Sequence, residues 1–338
     1  MPATTWADRC HDPHVQRSRI VFAFLVVACV LAASVAVTAL TGDQSVHTGA
    51  IGSIPTTPHW WALWSVPPVE SVGIALLAIW VLPRSQPGWH RISGMCGIGV
   101  LVAAVCSPIA GLAHDGLLEF HMLQHTLIGG FGALLVLAAL PRATTPVTGP
   151  LRLVSHPAVG FPLWVVSTAV WLSPALHDQL LSSNALWIAQ QLSFFVFGIL
   201  VWCPVLERFA PAPDWFGTGF KCGYMVGVWF TGLFIANIFW FSGTPLYPGH
   251  AALDRAWGFG ALQDQANAGT VMMVTHCILS FGMIAILFFA NAREQGLEQR
   301  LIEAGLDPDE VRHAVRAGDA GAMAARAGIS TTTRAGID

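Results

Sequence analysis

The chain has 338 residues, 54% of them hydrophobic and only 10% charged, with a net charge of −3 at neutral pH and a mean hydropathy of +0.60. A soluble domain carries roughly 25% charged residues. The composition therefore excludes a soluble globular domain and a nucleic-acid partner, and it points to an all-α polytopic membrane protein whose solvent is the lipid bilayer. Seven cysteines, with no CxxC spacing, form neither a disulfide framework nor a zinc motif. Fourteen tryptophans against two tyrosines, many near the ends of apolar runs, fit an interfacial aromatic belt.

Residues 1–19 are polar, carry Arg9, Arg17, Arg19 and a Cys10-His11-Asp-Pro-His14 cluster, and read as a tail. The first apolar run, Ile20 to Leu40, exceeds the 7–15-residue core of a secretory signal and reads as a retained transmembrane helix. An outer loop follows to residue 65, with His47, His59 and a Trp60-Trp61-x-x-Trp64 cluster. The next spans are expected at about 68–82, with Glu70 near its start, and 92–112, where Gly94, Gly97 and Ala104 permit close helix packing. An Ala-His114-Asp115-Gly turn leads into the fourth span, 117–140, with Asp115 as its expected N-cap. Four more spans are expected at about 158–173, 185–206, 222–242 and 268–290. Residues 293–338 form a soluble tail, with a short helix near 294–305 that Gly305 ends.

Eight spans place both termini on one side. If that side is cytoplasmic, 15 of the 16 Lys and Arg fall inside and Arg255 alone lies outside, as the positive-inside rule requires. The expected location is the plasma membrane, with both tails cytoplasmic.

The same topology sorts the histidines. His47, His59, His114, His177 and His250 fall in outer segments, and His121, His125 and His276 fall in the outer halves of spans four and eight. His47 and His250 read as solvated loop residues. His121 and His125, four residues apart on a helix, differ by about 40° around the axis and roughly 6 Å along it. They share one face, and ionisable groups at membrane depth mark functional sites. Neutral imidazole is a common copper or zinc ligand. The candidate metal ligands are His121 and His125, with His114 folding over the same face and His276 and His177 nearby. Asp264 is either a helix cap or a carboxylate orienting a histidine. Met122, Met272, Met273, Cys106 and Cys277 lie at similar depth, and imidazole with sulfur ligands suits copper.

Ser107-Pro108, Phe120-His-Met-Leu-Gln-His125, Leu140-Pro141, Ser173-Pro-Ala-Leu, Gly198-x-x-x-Trp202-Cys-Pro204 and Asp264-Gln265 with Ala268-Gly269 and Met272 occur in that order. Over roughly residues 66–290 the chain resembles the CtaG-type cytochrome c oxidase assembly factors. The resemblance implies a seven-helix core, here spans two to eight (66–292), to which the first helix and its loop, 20–65, are an addition. It also implies a part in building cytochrome c oxidase through copper delivery, with oxidase subunits as partners. Where the family usually has a histidine in span six near a Glu-His pair, this chain has Trp187 and Gln190-Gln191; a Trp-His of span five reads Trp171-Leu172.

The reading that follows is a metallochaperone without enzymatic chemistry, which holds copper on outward-facing histidines and hands it on by ligand exchange. The alternatives are a haem-b or quinone redox protein with axial histidines, and a copper transporter. Haem needs ligands on two helices, and transport needs ligands along the whole depth, where the inner halves of these spans are poor in His and Met. The topology is testable by cysteine-accessibility labelling. Residues near Thr48, Ser182 and Gly249 are expected to react from outside, and those near Ala143 and in the tail to be protected. Labelling of the tail in intact cells would overturn it.

Overall fold

A computed structural model describes residues 63–143, 152–153, 155–251, 260–317 and 320–329, and no strand occurs among them. The first expected span, the Cys10–His14 cluster, His47 and His59 lie outside the described residues. The helices are α1 (Pro68–Val81), α2 (Trp89–Cys106), α3 (Pro108–His114), α4 (Leu118–Ala139), α5 (Pro157–Trp171), α6 (Pro174–Leu180), α7 (Asn184–Leu206), α8 (Thr218–Phe241), α9 (Ala261–Glu303), α10 (Pro308–Ala317) and α11 (Ala320–Arg326).

Their starts follow from local chemistry. Proline occupies the first turn of α1, α3, α5 and α6, where its missing N–H costs nothing. Ser107 Oγ accepts from Ile109 N at 3.2 Å to cap α3, and Ser183 Oγ accepts from Leu186 N at 3.4 Å to cap α7.

Five helices are long and apolar enough to cross a membrane: α2, α4, α7, α8 and α9. The bent pair α5–α6, which turns by 69° at Leu172-Ser173, makes a sixth if it counts as one span. Among the described residues these account for six of the eight expected spans. The expected second span is α1, about 21 Å long and continued by a 3-10 turn over Leu82–Arg84, and the first span is not described. Span three also ends earlier than expected, at Cys106, because Pro108 opens a separate short helix.

The described residues fall into two compact units, one within Met1–Pro213 and Val228–Leu279, the other within Asp214–Gly227 and Ser280–Asp338. In the first, Val81, Leu101, Ala104, Val105, Ile128, Val136, Ala139 and Phe194 join α1, α2, α4 and α7 in one apolar core. Small residues let the backbones approach, as expected for Gly97, whose hypothetical Cβ would lie 2.8 Å from Val136 N. Outward faces are apolar as well: Ile79 is 70% exposed and Phe234 68%, which suits lipid rather than water.

In the second unit α9 ends as expected. Gly305 sits at φ +89°, and Leu306 N donates to Leu301 O at 3.2 Å, which closes the helix in a glycine C-cap. Asp307 Oδ1 then accepts from Asp309 N and Glu310 N to start α10, and Leu301, Val311 and Ala324 form a small core among α9, α10 and α11. The segment near 294–305 is thus the continuation of span eight rather than a separate helix.

The middle of α4, Thr126–Gly132, is π-helical. Trp202 Nε1 donates to Gly130 O at 3.2 Å across from α7. At this level α4 and α7 touch backbone to backbone: a Cβ on Gly198 would lie 2.2 Å from Gly129 O. Gly198→Ala must push the helices apart, and overpacking of this kind costs about 1–3 kcal/mol. A lower melting temperature in detergent is therefore expected for Gly198→Ala. Gly99→Ala, with nothing within 4 Å of its Cβ, should melt unchanged or slightly higher, since alanine favours a helix by about 1 kcal/mol. Equal melting of the two variants would refute the close contact.

Candidate metal centre

The N-terminus of α4 is held from a distance. Leu117 provides no capping side chain; instead Asp264 of α9 accepts from Leu118 N at 2.6 Å and from Glu119 N at 3.1 Å. Asp115, the expected cap, instead sits at the C-terminal end of α3. A buried carboxylate on two backbone N–H groups satisfies both the orphan donors and the helix dipole.

One turn further, His121 enters the centre with no exposed surface, and its ring lies 4.3 Å from that of His125, centroid to centroid. His177, on α6, also has no exposed surface; its Nδ1 lies 3.2 Å from Trp171 O. His250, in a helical turn beginning at 248, is 2% exposed, and its Nδ1 lies 2.7 Å from Gly116 O. Gly116 has φ +96°, a conformation glycine adopts without strain, and this turn is what presents its carbonyl to His250. A carbonyl only accepts, so both Nδ1 atoms carry the proton and both Nε2 atoms carry a lone pair. Burial holds the His250 imidazole below its ordinary value, against the Gly116 hydrogen bond and the Asp264 and Asp178 charges, so the ring is neutral.

One ring nitrogen from each of His121, His177 and His250 lies within 4.8 Å of the others. The Nε2 atoms of His177 and His250, and both nitrogens of His121, have no hydrogen-bond partner among the described residues. An ion bound at about 2.0–2.1 Å by three nitrogens in a plane needs them roughly 3.5 Å apart.

His250 corrects the sequence reading, which took it for a solvated loop residue. Four neighbouring residues fasten its segment to four places. Leu246 N donates to Gln265 Oε1 at 2.7 Å, Tyr247 Oη to Leu172 O at 2.9 Å, and Gly249 N to Asp178 Oδ1 at 3.3 Å, beside the His250–Gly116 bond. All of these partners are remote in sequence, so no local pattern announces the burial of His250.

The other expected residues take different places. His125 stacks on Phe194 at 4.1 Å and lies outside the trio, with its Nε2 buried and without a partner among the described residues. His114 stacks on Trp187 at 4.8 Å. His276 is buried elsewhere: its Nδ1 donates to Met272 O at 2.7 Å and its ring fills the space left by Gly232. Asp264 acts as the cap of α4. The sulfur candidates are also engaged apart from the trio. Met122 and Met272 pack with Phe239 and Tyr247, Trp229 Nε1 points at Cys277 Sγ at 3.1 Å, and Cys106 Sγ meets Ser71 Oγ at 3.9 Å. Trp187 and Gln190, at span-six positions where the sequence departs from its resembled family, both line the centre. Trp187 is edge-on to His121 at 4.7 Å, and Gln190, one turn on, shares its helix face with Phe194, which stacks on His125.

The family model described as cytochrome c oxidase caa3 assembly factor (Caa3_CtaG) matches residues 74–294. No curated protein and no solved structure matches the chain. The match takes in every histidine, amide and carboxylate of the centre, and the chain belongs to the cytochrome c oxidase caa3 assembly factor family.

Proposed function

We propose that this assembly factor binds copper on His121, His177 and His250 and supplies it to a subunit of the oxidase. The observation that carries this reading is the trio of buried imidazoles whose ligand nitrogens converge without hydrogen-bond partners among the described residues. Unpartnered buried nitrogens are costly, and a bound ion relieves that cost directly. Backbone carbonyls on Nδ1 of His177 and His250 are the outer support that ligating histidines usually have.

Imidazole suits copper and zinc alike; the family's role in oxidase assembly favours copper. The ion is cargo, and the protein's part is to hold and release it by ligand exchange, with no bond made or broken in a substrate. The sorting of basic residues puts the trio near the non-cytoplasmic side of the plasma membrane, with both tails in the cytoplasm. Of the three ligands, His250 is carried on a short segment fastened by hydrogen bonds rather than within a span, so it is the one best placed to exchange with an acceptor.

Purified full-length protein is expected to retain about one copper per chain. His121→Ala, His177→Ala and His250→Ala should each lose most of it, non-additively, because one missing ligand already opens the chelate. His47→Ala should leave it unchanged. Full copper retention in all three variants, or a Soret band in place of copper, would overturn the reading. In cells, deletion should lower oxidase activity while oxidase subunit synthesis continues, and added copper should restore part of the loss. Normal oxidase activity in the deletion strain at low copper would argue equally against it.

A further inference from the structure

Two of the three imidazoles have an outer support and the third does not. His177 and His250 hand their Nδ1–H groups to Trp171 O and Gly116 O. His121 has no exposed surface, and neither of its ring nitrogens has a partner among the described residues. A ligating imidazole needs an acceptor for its second nitrogen, to fix both its tautomer and its orientation.

Beside it stands Gln190 of α7, also without exposed surface. Gln190 lies on the same face of α7 as Trp187 and Phe194, whose rings meet those of His121 and His125, yet its Oε1 and Nε2, like His125 Nε2, complete no hydrogen bond with any described residue. A carboxamide is the side chain that can serve both neighbours, because it carries an acceptor and two donors on one rigid plane. Among the other buried amides, Gln124 has its nitrogen committed to Ala104 O at 2.8 Å, and Gln265 accepts from Leu246 N and donates to Phe239 O.

We infer that Gln190 is the positioning residue of the centre: its Oε1 accepts the non-ligating N–H of His121 while its Nε2 donates to His125 Nε2. This rests on the reading of the trio as a copper site. It gives His121 and His125 different tasks. His121 turns its free lone pair to the ion, whereas the lone pair of His125 is spent on the amide, which makes His125 a support rather than a ligand. One rotation of the amide partners four atoms that otherwise have none, and the ion takes the remaining nitrogen of His121.

The test is competition for copper between purified full-length protein and a chromophoric chelator, with copper offered as Cu(I) without oxygen and as Cu(II) in air. Gln190→Leu is expected to weaken retention roughly 10–100-fold. His125→Ala should weaken it by no more than that, and the double variant no further than Gln190→Leu alone. Gln190→Glu, which keeps the acceptor, should retain most of the affinity. Melting of the copper-free protein separates positioning from packing: Gln190→Leu and Gln190→Glu should both still unfold in one cooperative transition, since each keeps a side chain of similar size. Wild-type affinity in Gln190→Leu overturns the inference, as does an equal loss in the Leu and Glu variants accompanied by loss of that transition. Wild-type protein that retains no copper at all overturns the copper reading itself.

Discussion

The centre depends on one dipeptide, Asp264-Gln265, at the start of α9. Asp264 caps α4 and thereby sets the height and phase of the helix that carries His121. Gln265, the next residue, accepts from Leu246 N and donates to Phe239 O at 3.0 Å, which anchors the segment that carries His250. Two ligands from distant parts of the chain are thus registered against the same helical turn. In a bilayer this matters more than in water. Free backbone groups find no solvent partner at membrane depth, so a long-range cap replaces what water would otherwise do.

Much of this was legible in the sequence. Apolar run length located α4, α5, α7 and α8 to within about four residues, because hydropathy and the need to satisfy the backbone act locally. The i, i+4 pair of His121 and His125 was legible for the same reason, as were Gly97 at a helix contact and Gly305 at a helix end. What escaped was tertiary. Asp115 has the right type and place for a cap of α4, but the α3–α4 turn leaves it at the end of α3, and a carboxylate 146 residues away does the work. His250 reads as a loop residue because every bond that buries it reaches a remote partner. Trp187 and Gln190 read as departures from a family pattern, and only the packing of α7 on α4 reveals that they line the centre.

The chemistry of the centre is also narrower than its composition suggested. Sulfur and imidazole occur at similar depth along the sequence, but the fold separates them. Cys277 and Cys106 face Trp229 and Ser71, Met122 and Met272 fill an apolar cluster, and His276 fills the space left by Gly232. What converges is nitrogen alone, from α4, α6 and the 246–250 segment, ringed by an amide and an indole. Neutral ligands of this kind bring no charge into an apolar surrounding, which suits a site that must exist both loaded and empty.

The π-helical stretch of α4 separates two jobs along one helix. Below it, Val136 and Ala139 mesh with α2; above it, His121 and His125 face α6 and α7. A wider turn accommodates one residue more than an α-turn, so it acts as a phase adjuster between these two faces. Were the same residues wound as an ordinary α-helix, the extra residue would no longer be absorbed, and the upper half would swing by about 100° relative to the lower. The lower seam would stay shut while both imidazoles turned away from their partners. The angular register of the centre is therefore written in the winding of a glycine-rich stretch that contributes no ligand to it.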